Sequence, residues 1–227
     1  MFEQQPDTLR QKVKLLATEA LQKSEPTAWF EVLYSQANGD SSQVPWAKLT
    51  PHPYLQNWLD TNQIKGENRS ALVIGCGLGD DAEALQKIGF QVTAFDISPT
   101  AIAWCQKRFP NSQVNYIVAD LFNLNTEWHN SFDFVFECRN MQALPLSVRT
   151  KVIEAIASLV KPGGNLLLIT RFRDTETPPD GPPWPLSESE LSQFQILGLQ
   201  EMQRDTFYEG DNQIIKQLLI QYIRTEN

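Results

Sequence analysis

The sequence is poor in the residues that build metal centres and disulfide frameworks. Its 227 residues include three cysteines, Cys76, Cys105 and Cys138, and two histidines, His52 and His129. The cysteines are far apart and form no CxxC pair. That argues against a disulfide scaffold and for a reducing cytoplasm, and it leaves no ligand set for a metal ion. Basic residues are also scarce: 19 Lys and Arg stand against 27 Asp and Glu, a formal net charge of -8. An acidic chain is a poor binder of nucleic acid or of an anionic membrane surface. No apolar run approaches membrane-spanning length. Residues 1–7 lack a basic region followed by an apolar core, so no secretory leader is read there. No repeat and no low-complexity linker divides the chain, and its length suits one domain, 1–227, with a sizeable core.

What the chain does have is a glycine-rich junction. Residues 71–74, Ala-Leu-Val-Ile, form a partly β-branched apolar run, the pattern of a strand buried on both faces of a parallel sheet. Gly75, Gly77 and Gly79 follow at alternate positions, and a helical pattern begins at Asp80 and Asp81, either of which could cap it. Three glycines between strand and helix let the backbone approach a ligand closely. The spacing is G-x-G-x-G, not the G-x-G-x-x-G of dinucleotide sites, and the Lys-Ser/Thr of a P-loop is absent. Acids at the helix start would repel a pyrophosphate. The expected ligand is nucleotide-like yet not anionic at that point. Residues 91–96 read as a second strand ending in Asp96, about twenty residues beyond the glycines, where a doubly wound sheet places a carboxylate for a ribose diol.

Gly75-Cys-Gly-Leu-Gly79 followed by residues 92–102, Val-Thr-Ala-Phe-Asp-Ile-Ser-Pro-Thr-Ala-Ile, resembles the S-adenosylmethionine-binding core of class I methyltransferases. A cationic sulfonium and a neutral adenosine suit a glycine loop with acidic flanks. The resemblance implies cofactor contacts at Gly75, Cys76, Gly77, Gly79 and Asp81, and at Asp96, Ile97 and Ser98. Residues 114–120 read as a third strand ending in Asp120. In the methyltransferase core an acid here reads the adenine amine and the next residue's amide meets the ring, which implies Asp120 and Leu121.

Residues 132–140 form a fourth strand and its loop, so Glu137, Cys138, Arg139 and Asn140 are expected near the transfer centre, outside the carboxyl ends of the strands. An acid–Arg pair after strand four resembles the thiopurine and halide or thiol methyltransferases, although Cys138 intervenes here. Glu137 is the candidate base and cofactor contact, and Arg139 the candidate catalytic partner. A surface ion pair between the two is the plainer alternative. Trp29, Tyr34 and Pro45-Trp46 also resemble that group's Trp-rich N-terminal cover, and aromatic faces attract cations. Gly181-Pro-Pro-Trp184 resembles its substrate-bordering loop. The substrate candidates are Trp46, Arg139, Asn140, Arg171 and Trp184. Trp58 and Cys105 are read as core.

The remaining pattern completes the architecture. Helices are expected over 8–23, from Ser98, over 147–160 and from Ser187, which stands three residues before Glu190 in a capping box. Residues 161–165, Lys-Pro-Gly-Gly-Asn, read as a helix stop and turn before strand five at 166–170. Two final strands, 199–208 and 214–224, flank a turn at 210–212. The expectation is an α/β, Rossmann-like, doubly wound seven-stranded sheet with its last strand antiparallel and helices on both faces. A helical, aromatic-rich cover (1–65) precedes the cofactor-binding core (66–227). The expected function is methyl transfer from S-adenosylmethionine to a thiol, thiopurine-like or halide acceptor. An N- or O-methyltransferase of a metabolite, or a non-catalytic S-adenosylmethionine-binding regulator, stays open on sequence, as do monomer and homodimer.

Overall fold

The computed structural model describes residues 7–210 and 214–226. The stretch 1–6 read for a leader, and Asp211 and Asn212 of the expected turn, lie outside the described residues.

The sheet is built around strand β1, Ser70–Ile74. Ala71, Leu72, Val73 and Ile74 are all buried, as an unbroken apolar run requires. β1 pairs in parallel with β2, Gln91–Asp96, on one side and with β4, Phe132–Cys138, on the other. β3, Asn115–Val118, lies outside β2, and β5, Val160–Arg171, outside β4. β7, Ile215–Arg224, runs antiparallel to β5 and to the edge strand β6, Leu199–Glu209. The order is β3-β2-β1-β4-β5-β7-β6, with β7 reversed. The order in which strands are added to the sheet reverses between β1 and β4, which themselves run parallel. That switch opens a crevice at the carboxyl ends of the strands.

Alternate side chains feed two cores. Leu72, Ile74, Val135, Leu166 and Leu168 pack with Val152, Ile153 and Ile156 of helix α6, Arg149–Leu159. Ala71, Val73, Phe134, Phe136, Leu167 and Ile169 pack on the opposite face. There they meet Leu55 and Trp58 of α3, Pro53–Thr61, and Ala82 and Leu85 of α4, Asp80–Lys87. α5, Pro99–Arg108, opens with Ser98 as its cap and Pro99 in the first turn, as expected. Cys105 is fully buried in it, the core residue expected. At the N-terminus, Val13, Ala17 and Ala20 of α1, Asp7–Gln22, pack on Trp29 and Leu33 of α2, Ala28–Ala37.

Three local expectations need correction. Residues 161–165 do not form a turn: β5 begins at Val160, pairs back to Phe132, and shifts register before Phe134. A Cβ on Gly164 would lie 2.8 Å from the Phe132 carbonyl oxygen, so glycine is what lets the extra pairing form. Second, neither Asp80 nor Asp81 caps α4. Gly79, at φ 90°, holds the cap position with no side-chain bond. Asp80 instead makes two 2.8 Å contacts with Arg108 of α5. Third, β3 stops at Val118, which leaves Asp120 in the following loop. The capping box at Ser187 and Glu190 is present, on a helix α7 of four residues, Glu188–Leu191, followed by α8, Gln193–Ile196.

Candidate active site

Two adjoining cavities open at the switch point. The larger encloses about 1230 Å³ of non-atom space including its mouth, and the smaller about 480 Å³. Phe30, Ile74, Gly75, Asp96 and Asn140 belong to the walls of both. The floor is the glycine turn. Gly75 and Gly77 adopt φ of 56° and 55°, which only glycine takes up without strain. A Cβ on Gly75 would fall 2.1 Å from Asn140 Oδ1. Asn140 in turn donates from Nδ2 to the Ile74 carbonyl at 2.7 Å, so loop β4 is clamped directly over loop β1. A Cβ on Gly77 would instead project toward Tyr34 Oη at 3.2 Å and the Trp46 indole at 3.8 Å. The backbone at Gly77 is thus bare on the side the aromatic cover faces.

Asp96 stands at the end of β2. Its two oxygens accept from the Gly77 amide at 3.0 Å and the Ser98 amide at 2.9 Å. Burial pushes its carboxyl up to about 6 against those hydrogen bonds. Asp81, across the cavity, accepts from the His52 amide at 2.6 Å, and burial pushes it up to about 6 as well. His52 caps α3 with Nδ1, which accepts from the Tyr54 amide at 3.3 Å. Burial and the nearby Arg139 hold His52 down to about 3, so its imidazole is neutral. With Nδ1 accepting, the remaining proton sits on Nε2.

The cover supplies an aromatic wall. Trp46 meets Trp29 edge-on at 5.9 Å between centroids and Phe30 at 6.0 Å, and its Nε1 donates to Tyr34 Oη at 2.7 Å. Three cations, Lys48, Arg139 and Arg171, also border the larger cavity. Arg139, at φ 67°, forms an ion pair of 2.6 Å with Glu209 from the end of β6. It does not pair with Glu137. Arg171 is held through its backbone amide, which donates to Gln142 Oε1 at 2.6 Å.

The structure therefore brings Trp29, Tyr34, Trp46, Gly75, Cys76, Gly77, Asp81, Asp96, Arg139, Asn140 and Arg171 to one cavity. Ile97, Asp120 and Leu121 line the smaller one. Four expected residues are elsewhere. Glu137 is fully buried and turns away from the cavities, toward the start of the next loop. Its Oε1 accepts from the amides of Asn140 at 2.6 Å and Met141 at 3.0 Å. Burial pushes it up to about 7. It shapes the loop and borders neither cavity. Gly79 faces Tyr116 and Cys105, and Ser98 is buried as a helix cap. Trp184 is packed beneath the proline loop, its amide donating to Gln142 and its carbonyl accepting from Arg149. The loop residues at the cavity are Pro182 and Pro183. Glu137→Gln is expected to retain methyl transfer with an unshifted pH profile. Glu137→Ala is expected to cost about 1–3 kcal/mol for each buried amide it strands, read in a denaturant titration.

His52, Lys48, Gln142 and Glu209 were not expected at the site. His52 followed by proline is a sequence sign of a helix cap. The others carry no local sign, because they arrive through chain reversals.

The family model of thiopurine S-methyltransferase matches residues 36–216. The chain belongs to the thiopurine S-methyltransferase family. It is 30% identical over 161 residues to a probable thiol methyltransferase 2 of Arabidopsis thaliana, across 69% of each chain. It is also 38% identical over 138 residues to a ubiquinone biosynthesis O-methyltransferase of Xanthomonas euvesicatoria, across 60% of this chain and 56% of that protein. The fold is similar to that of the N-methyltransferase NodS of Bradyrhizobium japonicum, solved with S-adenosylhomocysteine. That match has a TM-score of 0.64 and 19% identity, and covers 87% of this chain and 98% of that one. This family member is an S-adenosylmethionine-dependent methyltransferase of small molecules.

Proposed function

We propose that this methyltransferase acts on a soft nucleophile that reaches the site already anionic, a thiolate that has lost its proton in solution or a halide, with S-adenosylmethionine as methyl donor. The observation that carries this is the lining of the larger cavity: Lys48, Arg139 and Arg171 border it together with the aromatic wall, and its buried carboxylates, Asp81 and Asp96, already accept backbone amides. The residues fit the donor. The bare backbone at Gly77 leaves the room that a Cβ would fill. Asp96 suits a ribose diol, and the apolar slot of Phe95, Ala119 and Leu121 with Asp120 beside it suits an adenine. Asp81 and the aromatic wall suit the cationic end. When bound, the donor supplies a methyl group already activated on a positive sulfur.

The chain's own residues then have little proton chemistry to do. His52 is neutral, with its Nδ1 lone pair occupied. The hydrogen bond with Cys105, and then burial, push the Cys76 thiol up, and burial pushes up the Cys138 thiol and the Tyr34 hydroxyl, so none is an anion near neutral pH. Glu137 is out of reach. Arg139, Arg171 and Lys48 hold an anionic acceptor, and Trp29, Phe30 and Trp46 exclude water, which leaves alignment as the main contribution. A phenol or amine acceptor would need a base near its proton, whereas the carboxylates bordering this cavity are already engaged, Asp81 and Asp96 by backbone amides and Asp80 by Arg108. A cytoplasmic setting suits three free cysteines. Among the described residues no helix is long and apolar enough to cross a membrane.

The deciding experiment incubates the protein with S-adenosylmethionine and, separately, an aryl thiol, hydrosulfide, iodide, a phenol and a primary amine. Release of S-adenosylhomocysteine is expected with the thiols or iodide. Turnover of the phenol or amine alone would overturn the soft-nucleophile reading. A pH dependence follows as well. Asp81 and Asp96 are both raised to about 6, so protons compete with a cationic donor below that pH. Donor affinity is expected to be flat above pH 6. Below it, affinity should weaken by about tenfold per pH unit for each carboxylate that must ionise. S-adenosylhomocysteine lacks the sulfonium charge and should show the shallower slope in parallel calorimetric titrations.

A further inference from the structure

Aromatic contacts alone do not fasten the cover to the core. Glu31, the residue after Phe30 on α2, reaches the first turn of α5. Its Oε2 accepts from Ser98 Oγ at 2.5 Å and the Thr100 amide at 3.2 Å, and its Oε1 accepts from Thr100 Oγ1 at 2.6 Å. The opening amides of a helix have no partner within it, and its dipole favours a carboxylate there. Glu31 is therefore strongly held.

Ser98 has no solvent exposure and serves both sides of this joint. Its amide donates to Asp96 Oδ1 at 2.9 Å, and its hydroxyl donates to Glu31. The same hydroxyl oxygen accepts from the Ala101 amide at 3.0 Å. The carboxylate at the cavity floor and the carboxylate of the cover thus share Ser98 as a hydrogen-bond donor. α2 also carries Trp29, Phe30 and Tyr34, and Phe30 is common to the walls of both cavities. A shift of α2 away from Ser98 would move that shared wall and remove one of the supports of the turn that presents Asp96.

We infer that Glu31 is a positioning residue that locks the cover helix to the Asp96 turn, so that filling the donor cavity and setting the aromatic wall over the acceptor occur together. This rests on the donor site proposed above. It makes the cover's order depend on the donor, and the donor's affinity depend on the cover.

The test uses full-length wild-type, Glu31→Ala and Glu31→Gln proteins. It measures S-adenosylhomocysteine affinity by calorimetry and amide exchange of residues 28–37 with and without that ligand. Wild type is expected to bind and to slow exchange across 28–37. Glu31→Ala is expected to bind on the order of tenfold more weakly and to lose the protection of 28–37 while keeping that of the glycine turn. Glu31→Gln, which keeps the shape and one acceptor oxygen, should fall between them and covers the case in which the alanine variant does not fold. Wild-type affinity and wild-type protection of 28–37 in both folded variants, whatever their melting temperatures, would reduce Glu31 to a fold contact and overturn the coupling. Absence of binding by wild type would overturn the donor site itself, a different result.

Discussion

Asp96→Ala is expected to abolish useful donor binding while the chain still folds. The carboxylate does two things at once. It takes the Gly77 and Ser98 amides, which fixes the glycine turn against the start of α5, and it faces both cavities. Alanine leaves both amides without an acceptor in a buried setting, at about 1–3 kcal/mol each. It also removes the acceptor proposed for the ribose diol. One such loss, expressed in binding, is about five- to a hundredfold, because about 1.4 kcal/mol corresponds to a factor of ten. A fall in S-adenosylhomocysteine affinity on the order of a hundredfold or more is expected by calorimetry. Asp96→Asn is expected to be nearly as poor, since its NH2 group must face one of the two amide donors. Asp120→Ala is the contrast. Asp120 accepts from the Phe122 amide two residues on, in a part-exposed loop, so its loss should weaken binding far less. Equal affinities for wild type and Asp96→Ala would remove Asp96 from the donor site.

That contrast also marks what a linear sequence can reveal. The glycine turn, the acid ending β2 and the parallel sheet are written in short segments: an apolar run, alternate glycines, a carboxylate at a strand end. Each is dictated by neighbours in the chain, so each was legible. The tethers of the site are not local. Glu31 meets Ser98 67 residues away, and Arg139 meets Glu209 70 residues away. Glu137 shows the intermediate case. Strand alternation puts it on the same face as Val135, which packs on α6, while Phe134 and Phe136 take the other face. The sequence carries that alternation but not the turn of the next loop, whose amides draw the carboxylate inward. Trp184 was misplaced for a similar reason. Its resemblance to the family's Gly-Pro-Pro-aromatic loop implies a substrate contact, yet the loop presents Pro182 and Pro183 and buries the ring.

The largest expected effect on stability comes from a glycine that local pattern gave no reason to notice. Gly66 lies between α3 and β1, in a Lys-Gly-Glu-Asn stretch that reads as an ordinary surface loop. In the structure its amide donates to the Ile88 carbonyl at 2.7 Å, and the Asn68 amide donates to the Gly89 carbonyl at 3.0 Å. The segments that enter β1 and β2 are therefore laid backbone on backbone. A Cβ on Gly66 would fall 2.0 Å from the Phe90 nitrogen and 2.2 Å from the Gly89 carbonyl carbon. Both are main-chain atoms next to Phe90, which is packed into the core beside Phe134. No rotamer change relieves the clash, so one segment must move. Overpacking costs typically reach about 1–3 kcal/mol where side chains can adjust, and here the main chain must, so at least about 3 kcal/mol is expected. That is a large fraction of the roughly 5–15 kcal/mol that holds a domain folded. For a chain of this size it corresponds to a fall in melting temperature on the order of 10 °C. Gly39→Ala is the control. Gly39, unlike Gly66, has a positive φ, 86°, but nothing lies within 4 Å of its added Cβ, so only backbone strain of about 1–2 kcal/mol is expected. If the two alanine variants melted together in a thermal scan, the close approach of the 66–68 and 88–90 segments would not be what fixes the register of β1 beside β2.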